Sequence, residues 1–222
     1  MRSLVRVKLK EEILRSEKRL AAANRRRLRR AGIPALNLIG SPGAGKTSLI
    51  EAIVGRLGKG VDIGVIEGDL ASDKDARRLR ALGVRALQIN TGRGCHLSPG
   101  MIASALKEMP LREIDLLLIE NVGNLVCPAN FDLGEDAKVA ITSVAEGDDK
   151  PAKYPLLFLE AAVAILNKID LMPVCDFSRR RFYRELRIVN PDLKVIEVSC
   201  RTGAGVAAWV RWLRGRLKER KI

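Results

Sequence analysis

The run Gly40-Ser41-Pro42-Gly43-Ala44-Gly45-Lys46-Thr47 matches GxxxxGK[ST] in full, and it lies between a short apolar run, Ala35 to Ile39, and a helical pattern from Lys46 to Leu57. A strand, a glycine-rich turn and a helix in that order leave few folds open. The glycines let backbone N–H groups converge on phosphate oxygens, and the helix N-terminus adds partial positive charge. The spacing assigns Gly43, Ala44, Gly45, Lys46, Thr47 and Ser48 to a nucleotide's phosphates. Lys46 is expected to bridge the β- and γ-phosphates, and Thr47 to place its hydroxyl on Mg²⁺.

The rest of the chain repeats that alternation. Strands are expected at Val61 to Ile66, Val84 to Ile89, Ile114 to Ile119, Val139 to Val144, Ala161 to Leu166 and Leu193 to Val198. Helices are expected around Asp73 to Leu82, after Ser98-Pro99, over Phe177 to Val189 and from about Gly205 to Leu217. This spacing implies parallel β-α-β units: an α/β fold with a three-layer, mostly parallel, doubly wound sheet of the P-loop NTPase type. Such sheets bind ligands at the carboxyl ends of their strands, where the motifs fall. Residues 8 to 30 read as a charged helix with a thin apolar stripe, Leu9, Ile13, Leu20 and Leu28. The chain therefore divides into a basic N-terminal helix, 1–33, and a nucleotide-binding domain, 34–222.

Hydrophobic residues make up 47% and charged residues 30%, enough for a core under a solvated surface. The apolar runs are strand-sized, short of the ~20 residues that span a bilayer. The charged N-terminus lacks an apolar stretch before a cleavage site, so a cytoplasmic location without membrane attachment is expected. Forty Lys+Arg against 26 Asp+Glu give +14, concentrated in Arg25–Arg30, Arg179–Arg181 and Arg211–Lys221. Without aromatic-interleaved RNA-binding motifs these read as solvated helix faces and helix C-termini, and nucleic acid is not expected as a partner.

Asn167-Lys168-Ile169-Asp170, at the end of a strand, resembles the NKxD signature of GTPases, in which the aspartate accepts hydrogen bonds from guanine. Adenine presents the opposite edge there and leaves the carboxylate unpaired. One β-α unit later, Ser199-Cys200-Arg201 resembles the SAK-type loop that caps guanine O6. Glu120-Asn121-Val122-Gly123 stands where GTPases carry DxxG; Glu120 retains a carboxylate for Mg²⁺, and Gly123 can approach the γ-phosphate. Asp69 and Asp75 are further acidic candidates that could bind Mg²⁺ or orient water, although Asp75 also suits the first turn of a helix on charge grounds alone. The catalytic set is thus Lys46, Asp69, Asp75 and Glu120, with Thr47, Asp69 and Glu120 as Mg²⁺ ligands and GTP/GDP as the nucleotide. Asn124, not glutamine, follows Gly123, so hydrolysis without a partner is expected to be slow.

His96, the only histidine, sits beside Cys95, and Cys127 lies just past Gly123. Both loops follow strands and belong on the nucleotide face. Two thiols and an imidazole suit Ni²⁺ or Zn²⁺, with a vacancy for water or a second subunit. A buried Cys127 beside a surface His96 is the alternative. Cys175 and Cys200 have no such neighbours and read as packing residues.

SPGAGKT, NTGRGCHL and ENVGNLVCPANFDLGE together resemble the HypB family, GTPase accessory factors of nickel–iron hydrogenase maturation, from about Ala35 onward. The resemblance implies a SIMIBI-class GTPase that forms a homodimer with bound GTP and holds metal at the dimer interface through residues matching Cys95, His96 and Cys127. It implies a nickel- or zinc-binding accessory protein and the hydrogenase large subunit as partners. The cysteine- or histidine-rich N-terminal stretches of some members have no counterpart, so high-capacity nickel storage is not expected. The related urease accessory GTPases carry Cys-Pro-His; here Ala129 follows Cys127-Pro128, which favours the hydrogenase branch. A metal carrier in which hydrolysis is incidental is the other reading.

Overall fold

The computed structural model describes residues 2–58, 60–69 and 73–219. Helix α1 (Arg2–Arg30) leads into β1 (Ala35–Gly40), α2 (Lys46–Glu51), β2 (Ile63–Asp69), α3 (Lys74–Ala81) and β3 (Arg85–Asn90). Then come α4 (Pro99–Glu108), β4 (Leu116–Glu120), β5 (Ala137–Ser143), α5 (Lys150–Lys153), α6 (Pro155–Glu160) and β6 (Ala161–Asn167). The last described elements are α7 (Arg179–Val189), β7 (Val195–Glu197) and α8 (Val206–Glu219). Among the described residues the seven strands form one sheet in the order β3-β2-β4-β1-β5-β6-β7, every pairing parallel. The doubly wound α/β fold read from the sequence is the fold observed.

Strand β1 lies centrally and is buried at all six positions, as expected of a parallel strand covered on both faces. Its Leu36 and Leu38 join the α2 and α8 side of the core, with Trp209 and Leu213. Ala35 faces the α1 and α4 side, with Leu28, Ile102 and Leu106. Full burial of each such Leu or Ile contributes roughly 1.5–3 kcal/mol.

Several boundaries differ from the periodicity. Helix α2 ends at Glu51, not Leu57; Ile53 and Val54 already bond three residues back, and Gly55 (φ 74°) turns the chain left-handed. Helices α5 and α6 were not legible, because Pro151 and Pro155 interrupt the apolar pattern while serving as first-turn residues. Helix α1 begins earlier than residue 8 and docks through Ala21, Asn24 and Leu28, all buried; Leu20 is half-buried, and the Leu9 and Ile13 side chains lie outside the described residues. Asn24 Nδ2 donates to Pro99 O at 2.8 Å, tying α1 to the start of α4. As predicted, Ser98 caps α4, accepting from the Met101 N–H at 3.2 Å. No helix among the described residues is long and apolar enough to cross a membrane.

Candidate functional site

Strand β1 delivers the glycine-rich loop to the carboxyl edge of the sheet, where it borders a cleft of about 460 Å³. The loop needs its glycines. Gly43 and Gly45 have φ of 77° and 94°, and a methyl at Gly45 would collide with the Asn167 amide. Lys46 is buried, and its ammonium donates to Gly40 O and Ser41 O, both at 3.2 Å. Burial lowers its pKa, which raises the gain from meeting an anion. Gly43, Gly45, Lys46, Thr47 and Ser48 line the cleft, while Ala44 is buried beneath them.

Opposite the loop stand carboxylates from the ends of β2 and β4. The Thr47 hydroxyl donates to Glu120 Oε1 at 2.8 Å. Glu120 is 4% exposed and its Oε2 has no hydrogen-bond partner among the described residues. Burial pushes its carboxyl up to about 7, against the pull of Lys46. Glu67 pairs in register with Glu120 across β2 and β4, and it too leaves a buried Oε2 without a partner. Burial, then Glu120, pushes Glu67 up to about 8. Two buried acids with open oxygens beside a threonine hydroxyl fit a divalent cation, whose charge would offset their repulsion. Thr47 and Glu120 could hold Mg²⁺, with Asp69 and Asp75 lining the same cleft. Asp75 is bound at 2.9 Å by Arg78, itself 2.7 Å from Glu51.

Glu67 and Arg78 were missed by sequence reasoning. A charged residue ending the apolar run of β2 was the available signal for Glu67. Arg78 carried none, because a helix arginine is indistinguishable from a solvated one.

The end of β6, where the NKxD-like residues stand, is tied to the phosphate loop. Asn167 Nδ2 donates to Ala44 O at 2.9 Å, and its Oδ1 accepts from Lys168 N at 2.7 Å and Cys200 N at 3.4 Å. Lys168 reaches the cleft from a left-handed turn (φ 58°). Ser199 Oγ donates to Asp170 at 2.6 Å, with Arg201 3.6 Å from the other oxygen. That hydroxyl bond chiefly holds the Asp170 carboxyl below its usual range, favouring the ionised form that only accepts hydrogen bonds. The Ser199 hydroxyl also receives Thr202 N at 3.1 Å, and Cys200 packs against the core, where burial lifts its thiol to about 11.

The second constellation lies on loops leaving β3 and β4. One ligand atom each from Cys95, His96 and Cys127 lies within 4.8 Å of the others. Cys95 Sγ is 3.6 Å from His96 Nδ1. The His96 ring stacks on Phe131, centroids 3.9 Å apart and planes at 16°, which fixes its rotamer. Partial burial lowers the His96 pKa, favouring the neutral ring that ligates metals. Asn124 Oδ1 accepts from Val126 N at 2.8 Å and Cys127 N at 3.4 Å, setting the turn that presents the second thiol. Gly123 meets the phosphate loop directly: a Cβ there would lie 2.7 Å from Pro42 Cγ and 2.9 Å from its nitrogen. All four cysteines are free; Cys175 is half-buried in the α6–α7 core.

Residues 34–197 match the profile of the CobW/HypB/UreG nucleotide-binding domain. The chain is 50% identical over 207 residues to the hydrogenase maturation factor HypB of Azotobacter vinelandii, covering 93% of this chain and 68% of that protein. Its fold superposes on HypB from Archaeoglobus fulgidus with a TM-score of 0.85 at 43% identity, covering 91% of this chain and 98% of that one. HypB from Helicobacter pylori, solved in complex with nickel, gives a TM-score of 0.87 at 36% identity, covering 92% and 96%.

Proposed function

The chain belongs to the HypB family of hydrogenase maturation factors, within the CobW/HypB/UreG nucleotide-binding domains, and from that premise we propose that it is a GTP-hydrolysing switch that handles nickel during [NiFe]-hydrogenase maturation. The N-terminal segment, 1–33, carries helix α1 and braces a G domain assigned to 34–222. Lys46 meets the β- and γ-phosphates, Asp170 reads guanine with Asn167, Lys168, Ser199, Cys200 and Arg201 shaping its pocket, and Thr47, Asp69 and Glu120 hold Mg²⁺. Bound Mg²⁺ supplies charge neutralisation for the leaving phosphate. Asp75 or Asp69 orients the attacking water. Asn124 replaces the water-positioning glutamine and is engaged in its own loop, so hydrolysis is slow until a partner completes the site.

One loop carries the reading. Gly123 abuts Pro42 of the phosphate loop, and Cys127 follows four residues later, its N–H held by Asn124. A γ-phosphate that draws in Gly123 therefore moves a ligand of the Cys95–His96–Cys127 cluster. GTP closes two copies into a homodimer around this cluster, and hydrolysis releases the cargo. Nickel is the cargo, with Zn²⁺ a competitor for the same donors. A nickel- or zinc-binding accessory protein and the hydrogenase large subunit are the exchange partners.

Calorimetric titration of Ni²⁺ and Zn²⁺ into the GDP-bound protein, and into protein with a non-hydrolysable GTP analogue, tests the switch. Affinity or stoichiometry differs between the states, and the difference disappears in Cys127→Ala. Identical binding in both states rejects the switch. Nickel delivery that survives in Lys46→Ala makes the protein a carrier in which hydrolysis is incidental.

A further inference from the structure

Cys127 is joined to the switch by the chain itself, but Cys95 and His96 leave β3, and β2 lies between β3 and β4 in the sheet. Beyond the stack of the His96 ring on Phe131, a cation held by all three would feel the nucleotide through Cys127 alone, unless the backbone of the Cys95–His96 loop has its own link. We infer that Asn121 is that link: a positioning residue whose buried amide ties the Cys95–His96 loop to the Gly123 turn, so that nucleotide state sets both halves of the metal cluster. This deepens the proposed switch and rests on it.

Asn121 directly follows Glu120 and is 1% exposed. Its Oδ1 accepts two backbone N–H groups, from Val122 at 3.0 Å and from Leu97 at 3.1 Å. Val122 opens the Gly123 turn; Leu97 is the residue after His96. Backbone N–H groups only donate, so the oxygen must face them and Nδ2 must face away. Nδ2 donates to Asn37 Oδ1 at 3.1 Å, and Asn37, fully buried in β1, donates onward to Glu135 Oε1 at 3.2 Å. Glu135 Oε2 accepts from Leu133 N at 2.7 Å. Donation runs one way, from the metal loop and the switch turn through two asparagines to a buried carboxyl. Such chains strengthen their members cooperatively.

The foot of the metal loop has a second anchor. The Leu97 side chain is fully buried over Gly68, where a Cβ would lie 2.7 Å from Leu97 Cγ. Leu97 is thus held by packing on β2 and by one shared oxygen at the end of β4. Two donors share that oxygen, so tightening the Val122–Gly123 turn on a γ-phosphate alters the bond to Leu97. Leaving a buried N–H unpaired is costly, and the loop must follow. Both the nucleotide and the metal then bias one element, which is what coupling requires.

The test compares nickel affinity at saturating GDP and at a saturating non-hydrolysable GTP analogue, in wild type and Asn121→Ala. The wild-type ratio is expected in the range of about 5- to 150-fold. In the variant, nickel still binds because all three ligands remain, but the ratio falls several-fold. Asn121→Ser, which keeps a hydroxyl too short to serve both donors, carries the same test if the alanine variant does not fold. Hydrogen exchange of the Leu97 amide in wild type needs no variant, and its rate is expected to differ between the two states. A wild-type ratio of one rejects the switch and this link together. A wild-type ratio that persists in the variants, with equal Leu97 exchange in both states, overturns the link alone.

Discussion

The nucleotide cleft and the cysteine–histidine cluster sit on the same edge of one sheet, yet they are built to different standards. In the cleft Lys46, Thr47, Glu120 and Asn167 are all buried, and hydrogen bonds fix each of them. In the cluster Cys95 is exposed, while His96 and Cys127 are half-buried on loops. Phe131 stacks on the His96 ring and Asn124 accepts from the Cys127 N–H, while the Cys95 thiol lies 3.6 Å from His96 Nδ1. A rigid cleft gains by preorganisation, because charge in a transferring phosphoryl group is met without rearrangement. On the proposed switch, a site whose cargo must leave gains from exposure and from ligands that shift with the nucleotide state. With Cys127 of this soft cluster four residues beyond Gly123 of the hard cleft, the proposed switch lets a small shift at the turn reach one member of the cluster.

Lys46→Ala should produce the largest effect and separate the regions most cleanly. Loss of the buried ammonium should slow GTP hydrolysis by roughly 10²–10³-fold or more, as removal of one preorganised charge-stabilising donor does. Nickel affinity of the nucleotide-free variant, by calorimetry, should equal that of wild type; a large change would mean that the regions are one site. Cys127→Ala is the reciprocal change. Nickel affinity should fall by at least the roughly 10–100-fold typical of a lost supporting residue, with GDP affinity nearly intact. Gly123→Ala attacks the joint. Its methyl would meet backbone as well as ring atoms of Pro42, at a cost of roughly 1–3 kcal/mol. GTP-analogue affinity, measured by competition, should suffer more than GDP affinity; equal losses would show that the turn does not sense the γ-phosphate.

The sequence made the hard region legible and the soft region only in part. Phosphate-loop chemistry is local: Gly43, Gly45, Lys46 and Thr47 fall within five residues, so spacing encodes the geometry. The Asn167 and Ser199 loops were legible because each ends a strand of readable pattern. Glu67 was not, since its meaning comes from standing beside Glu120 across two strands more than fifty residues apart. The helices at Lys150–Glu160 escaped because proline masks the period. Asn37 is the clearest case of what pattern cannot show. A polar residue in the middle of a buried strand reads as an anomaly until Asn121 and Glu135 lie on either side of it.

The smallest effect tests the electrostatics of the hard region. Glu67 rises from an ordinary 4.5 to about 8 in the folded protein, chiefly through burial and then through Glu120. Between those values the folded state keeps a proton that the unfolded state has lost, so stability falls as pH rises. Glu120, raised to about 7, acts in the same direction. The melting temperature of the nucleotide-free protein should therefore decline from pH 5 to pH 8, and Glu67→Gln, which mimics the protonated acid, should flatten that decline by on the order of a few degrees. Mg²⁺–nucleotide should remove the decline in wild type, because a cation beside the carboxyls favours their ionised forms. Proton release on binding, read as a dependence of the calorimetric heat on buffer ionisation, should accompany it. An unchanged slope in Glu67→Gln would show that Glu67 is already ionised, and the contrast between a buried cleft and a more exposed metal cluster would then rest on burial and hydrogen bonding alone.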